Sequence, residues 1–141
     1  MMTQDEGDVY KANEAFYSAF ESLDIKEMEK VWLKEKYVQC IHPGWRSLTG
    51  WEDVMNSWRQ IFANTMEMRF LLTDVKVQVR ESLAWVTLYE NINSRVGQET
   101  SSGVILSTNI FEKEQDKWYI ILHHGGPAVP SPETDPRATF H

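Results

Sequence analysis

The order of hydrophobic patterns along this chain predicts an α+β domain, helices first and a strongly curved antiparallel sheet after them. Three observations carry that prediction. Apolar residues recur at helical spacing from Val9 to Leu23, the stretch from Met68 to His124 reads as four long alternating strands, and the breaks between those strands are short and polar. Short polar breaks suit hairpins, and hairpins make antiparallel neighbours rather than crossover units. A chain of 141 residues is long enough to bury one core without disulfides or metal staples.

The elements follow in order. Val9, Ala12, Phe16, Ala19, Phe20 and Leu23 form the apolar stripe of a first helix. Asp24, with Glu27 three positions on, has the N-cap signature of a second, shorter helix carrying Ile25, Met28, Val31 and Trp32. Tyr37 to His42 alternate as a short strand that places Val38, Cys40 and His42 on one face. Pro43 and Gly44 end it, and a loop from Pro43 to Leu48 leads to a capping box at Thr49 and Glu52. The third helix then aligns Trp51, Val54, Met55, Trp58, Ile61 and Phe62. Four strands are expected over Met68 to Arg80 (inward Leu71, Val75, Val77 and Val79), Ala84 to Val96, Gly103 to Lys113 and Lys117 to His124. The Pro-rich end resists regular structure and is expected to be a tail.

Composition narrows the function classes. The formal net charge is −7 and no window is rich in Lys and Arg, so the footprint of a nucleic-acid binder is missing and an acidic membrane surface would repel the chain. One cysteine, Cys40, excludes an intrachain disulfide, and its apolar neighbours mark it as a small buried hydrophobe. Neither a signal-peptide pattern nor an apolar run of membrane-spanning length is present, so a cytoplasmic location is expected. Aromatic residues make up 12%, more large rings than packing needs in so small a domain, and spare rings often line a cavity.

The order helix, helix, strand, helix and four strands, with "CIHPGW", "GWEDVMNSW" and "TNIFEKEQDKWYIILHHGGP", resembles the nuclear transport factor 2-like superfamily. The likeness is to its SnoaL-like and ketosteroid-isomerase-like small members, and it covers roughly Asp8 to Pro130. It assigns 1–130 to the domain and leaves 131–141 as the tail. The resemblance implies a cone-shaped half-barrel, its sheet wrapped around three N-terminal helices, with a deep apolar pocket at one end and pairing into a homodimer. Because this superfold hosts isomerases, dehydratases, cyclases and plain binding modules, function must come from the site.

In family members that isomerise ketosteroids, a carboxylate before a proline at the end of the first strand is the base. His42 resembles it in position and titrates near neutrality. It is expected either to move protons or to hydrogen-bond backbone and order the Pro-Gly turn. Tyr17 is similar in placement to the family's oxyanion-donating tyrosine, the other expectation being a helix-flank residue with its hydroxyl in water. The second oxyanion donor of those isomerases, an acid on the penultimate strand, has no counterpart, since Ser107 and Asn109 stand there instead; Asn109 can orient a carbonyl through its amide.

At the end of the last strand, period two admits only one of His123 and His124 to the inner face. Alternation from Trp118, Ile120 and Leu122 favours His124, whereas the pocket side implied by the resemblance favours His123. The pair lacks the spacing and nearby carboxylates of a zinc motif, so neither metal nor cofactor is expected. Trp58 reads first as a packing residue. Trp45, in the loop after Pro-Gly, is placed to cover an apolar ligand or to lie at a dimer seam. The reading is a protein that binds a small hydrophobic molecule, either as a proton-transfer enzyme of isomerase, dehydratase or cyclase type, or as a non-catalytic ligand-binding or dimeric assembly module.

Overall fold

The computed structural model describes residues 1–129, and the tail expected over 131–141 lies outside them. Three helices, α1 (Gln4–Ser22), α2 (Ile25–Val31) and α3 (Trp51–Asn64), cover one face of a six-stranded curved, unclosed sheet. Its strands are β1 (Gln39–Ile41), β2 (Leu48–Thr49), β3 (Glu67–Arg80), β4 (Leu83–Val96), β5 (Glu99–Glu114) and β6 (Lys117–Pro127), in spatial order β2-β1-β6-β5-β4-β3. This is the α+β class that the pattern predicted and the cone-shaped half-barrel that the resemblance implied. Among the described residues no helix is long and apolar enough to cross a membrane.

Local chemistry explains most boundaries. Helix α1 begins five residues before its apolar stripe because Thr3 and Glu6 close a capping box. Asp24 caps α2 through Lys26 N, as its spacing indicated. The cap of α3 differs from expectation: Thr49 pairs in β2, and Gly50, at a φ of 97° open to glycine, is the N-cap without a side-chain bond. The expected loop thus contains a two-residue strand, and β1 is shorter than Tyr37 to His42.

Strands β3 to β6 form the expected antiparallel meander, but the sheet is mixed, since β1 lies parallel to β6. Two-residue hairpins let the strands run longer than the polar breaks suggested, with Gln115 and Asp116 both at positive φ in the turn between β5 and β6.

Two bulges break the period of two. In β3 the register slips between Thr73 and Lys76, with Asp74 at a φ of 52°. Val75, Val77 and Val79 pack against the core as predicted, but before the bulge the partly or fully buried set is Met68, Phe70 and Leu72, while Leu71 is 61% exposed. The second bulge sets Phe111 opposite Ile120 and Ile110 opposite Leu122, leaving Ile121 as the extra residue.

Candidate functional site

The inner face of the sheet changes character along its length. Ala84, Val86 and Leu88 alternate inward along β4, and the next inward residue is Glu90, 3% exposed. On β5 the inward series is Phe111, Asn109 and Ser107, all nearly inaccessible. On β6 Trp118 and Ile120 point in; the bulge at Ile121 then resets the alternation, so that His123 is buried and His124 exposed. The alternation that favoured His124 therefore fails at the bulge, and the side implied by the resemblance, His123, is the one that faces inward. The structure brings His123 into the interior and leaves His124 on the outer side.

Helix α1 supplies the opposing wall. Its angle is fixed where Glu21 Oε2 accepts a hydrogen bond from Phe70 N at 2.8 Å. Tyr17 is buried between Phe16 and Phe70, both in edge contact with its ring. Its hydroxyl is not in water. It donates to Glu90 Oε2, and Ser107 Oγ donates to the same oxygen at 2.8 Å. Asn109 Nδ2 donates to Asn13 Oδ1 at 2.9 Å and to the Tyr17 hydroxyl oxygen at 3.2 Å. With that amide orientation, Asn109 Oδ1 is an acceptor, so His123 donates its Nδ1–H to it across 2.6 Å. The bonds run in one sense, from His123 through Asn109 and Tyr17 to Glu90.

Gly125 makes room for this arrangement opposite Ser107. A Cβ there would come within 2.9 Å of Ile105 Cγ2 and 3.0 Å of Ser107 Oγ.

His42 lies just past β1, 4% exposed, and faces inward. The turn around it accounts for the His-Pro-Gly-Trp sequence: Trp45 N donates to His42 O at 2.9 Å, with Pro43 fixing the first central position and Gly44 at a φ of 81° the second, as in a type II turn. Ser57 Oγ gives its one hydrogen to Val54 O at 2.6 Å, so at 2.9 Å it accepts from His42 Nε2–H. Trp58, fully buried, meets the His42 ring edge-on at 4.7 Å, and Trp45, 38% exposed, caps it at 4.8 Å. The Trp58 Nε1–H has no partner among the described residues.

Burial sets the charge states. It lowers His42 to about 4 and His123 to about 3, so both rings are neutral near pH 7. Burial raises the Glu90 carboxyl to about 7, against the two hydroxyl donors that favour its anion. The Tyr17 phenol is pushed well above its ordinary value by burial and by Glu90. Cys40, 3.5 Å from His42 Nε2, is raised by burial and is an inert thiol. No cluster of three or more His, Cys, Asp or Glu able to hold a metal occurs among the described residues.

The interior is filled with side chains, and Phe16 and Trp58 pack directly on the His123 ring. Four surface depressions with volumes of about 660, 490, 620 and 340 Å³ lie elsewhere, around Trp51, Ala15 and Tyr119; none is lined by Tyr17, His42, Glu90, Asn109 or His123.

Comparison with known proteins now assigns the family. The model of the SnoaL-like domain matches residues 9–130. The chain belongs to the SnoaL-like domain family. This SnoaL-like chain is 27% identical to the F-box protein SKIP8 of Arabidopsis thaliana over 116 residues, which are 82% of the chain and 48% of that protein. It thus spans about half the length of that curated relative. Among solved structures it is similar to a candidate dehydratase of the NTF2-like family from Streptomyces avermitilis, at 36% identity and a TM-score of 0.84, covering 89% of this chain and 97% of the other. A candidate calcium/calmodulin-dependent protein kinase type II association domain from Thiobacillus denitrificans shares 32% identity at a TM-score of 0.74, over 84% and 93% of the two chains. A ketosteroid isomerase-like protein from Erwinia carotovora atroseptica, at 14% identity and a TM-score of 0.77 over 92% and 100%, shares the fold.

Of the residues singled out from sequence, the SnoaL-like fold brings Tyr17, Ser107, Asn109 and His123 into one network, with His42, Trp58 and Trp45 beside it. Glu90, Asn13 and Ser57 were missed. Glu90 was findable, because alternation from Ala84 through Leu88 carries a carboxylate to the inner face; Asn13 likewise interrupts the apolar stripe between Val9 and Phe16.

Proposed function

We propose that this SnoaL-like domain binds a small hydrophobic molecule at the open half of its cone and moves a proton on it, as an isomerase, dehydratase or cyclase does. The observation that carries the reading is the continuous buried network of Tyr17, Glu90, Ser107, Asn109 and His123 inside an otherwise apolar interior. Buried polar groups are costly, and perturbed titratable ones gather where chemistry is done. Trp58 Nε1–H, like Trp118 Nε1–H, is buried with no partner among the described residues, and of the two Trp58 lies beside His42 and His123, where a ligand carbonyl would accept from it. Trp45, partly exposed, caps the His42 ring, and the 36% identical relative is itself a candidate dehydratase. His42 serves as a neutral wall of the site and Asn109 as an orienting amide. The buried lone thiol suits a reducing cytoplasm.

A second reading, a dimeric assembly module, draws on a different surface. Leu71, Trp85 and Leu106 are exposed on the outer face of the sheet, where Ile110 and Leu122 pair beside them, and a second copy of the chain would cover them. The relative named as an association domain favours this reading.

The test combines two measurements on the purified chain. Tryptophan quenching by 2-naphthol is expected to saturate, and to weaken in Trp45→Ala; quenching that never saturates would sink the ligand reading. Sedimentation is expected to give a dimer at micromolar concentration, and a monomer there would sink the assembly reading.

A further inference from the structure

We propose that His124 makes the pairing of two copies of this chain pH-dependent: its imidazole stands on the middle row of the outer face of the sheet, and protonating it there releases the second copy. The inference rests on the assembly reading above and names the control of that surface.

The register sets Lys76, Thr87, Thr108 and His124 side by side across β3, β4, β5 and β6. Trp85, Ile110 and Leu122 form the next outward row on one side, and Tyr89 and Leu106 the next on the other, so a polar row crosses the middle of an apolar face. One more row lies beyond each, at Leu71 and at Arg80. Four strands about 4.8 Å apart and five rows about 6.8 Å apart span roughly 14 by 27 Å. Side chains overrun that outline to about the 800 Å² that a standard interface buries on each partner.

Charge favours a second copy as the occupant. The chain carries a net charge of −7, so most of its surface repels its own kind. Between the Leu71 and Arg80 rows, the carboxylates among the described residues are Asp74 and Glu112, and both are held. Lys76 Nζ lies 3.8 Å from Asp74, and the Tyr37 hydroxyl donates to Glu112 at 2.9 Å.

His124 is exposed and has no hydrogen-bond partner among the described residues. Its neighbours on this face are Thr108 on β5, Ile41 on β1, and Leu122 and Gly126 on its own strand, none of them charged. Two sheets meet face to face about a two-fold axis that lies in the plane between them. Laid along the strands through the middle of this row, the axis sets each His124 over the second copy's Lys76; laid along the row, it sets the two His124 rings against each other. Either way an imidazolium loses its water and meets a cation, while the nearest carboxylate, Asp74, is already engaged. A neutral ring brings one donor, one acceptor and no such penalty. The paired state therefore binds fewer protons than two separate copies, and pairing strengthens as pH rises through the range near 6.5 in which a histidine in water loses its proton. The remaining histidines do not interfere, because burial holds His42 at about 4 and His123 at about 3, on the inner side. Glu90, at about 7, titrates in the same range but also faces inward.

Sedimentation equilibrium of the full chain, beside His124→Gln and His124→Lys, tests the assignment at about pH 5.5 and 7.5. The dimer dissociation constant of the unaltered protein is expected to rise at least about tenfold from the higher pH to the lower, each of the two histidines contributing up to about that factor. His124→Gln should pair equally at both, and His124→Lys weakly at both; the position is exposed, so neither change disturbs the core. A pH dependence that survives His124→Gln, or a His124→Lys protein that pairs as the unaltered one does at the higher pH, overturns the assignment. A dimer whose affinity is flat with pH overturns this control alone, whereas a monomer at both pH values and micromolar concentration removes the assembly reading and the inference together.

Discussion

The two ends of the cone interior are built from the same strands and differ in what those strands present. At one end, β4, β5 and β6 offer Ala84, Phe111 and Ile120; toward the other the same strands offer Glu90, Asn109 with Ser107, and His123. The first set buries area that needs no particular partner, so its contribution scales with volume and is tolerant of similar shapes. The second set contributes only while every bond is made, because one missing partner leaves several others stranded. One end is a foundation and the other a mechanism.

Truncations should expose that contrast. Phe111→Ala is expected to cost about 3–5 kcal/mol of unfolding free energy in urea, as for other buried rings, while leaving 2-naphthol affinity of the folded fraction within about twofold. A loss below about 1 kcal/mol would mean that the apolar end is loosely filled. Asn109→Ala removes partners of His123, Asn13 and Tyr17 at once and should cost about 2–4 kcal/mol. Unlike the first, it should also weaken naphthol binding. Equal effects of both variants on binding would erase the distinction between the ends.

The smallest effect lies in the pH dependence of stability, on the order of 1 kcal/mol. His42 and His123 have folded values below 6.5, so the folded state binds fewer protons than the unfolded one and stability rises with pH up to about 6.5. Glu90 works oppositely: its value of about 7 exceeds the ordinary 4.5, so its contribution is present below 4.5 and is lost as pH rises through 7. Two imidazoles outweigh one carboxyl below pH 6.5, and near neutrality the opposing contributions nearly cancel. Urea unfolding should therefore show a rise followed by a plateau. In Glu90→Gln the rise should be steeper and reach further. A fall in stability of the unaltered protein between about pH 5 and 6.5 would mean that the buried rings are charged.

Much of this architecture was legible in the sequence because burial follows period. The stripe from Val9 to Leu23, the Asp24 cap and the four alternating runs each state which side faces inward. What period alone does not carry is a change of phase. Leu71 and the two terminal histidines were ambiguous or misplaced because a bulge leaves no compositional mark, and Asp74 and Ile121 are ordinary residues for a strand end or middle. The parallel contact between β1 and β6 was equally hidden, since three residues carry too little pattern to name a neighbour. Most of the site was read from placement within the family's pattern. Glu90 escaped because the family's second acid belongs to the penultimate strand, whereas this carboxyl stands on the neighbouring β4, within reach of the same phenol.

The unpaired Ile121 in β6 has a lasting effect on how this molecule can vary. A strand with unbroken alternation ties its two halves together, so that any shift made to re-aim a side chain at one end displaces the packing at the other. One supernumerary residue cuts that tie: Trp118 and Ile120 stay seated in the core while the residues beyond them take their own phase against β1 and β5. Removal of that one residue would exchange which imidazole looks inward, at the cost of the pairing that His123 and His124 make with β1 and β5.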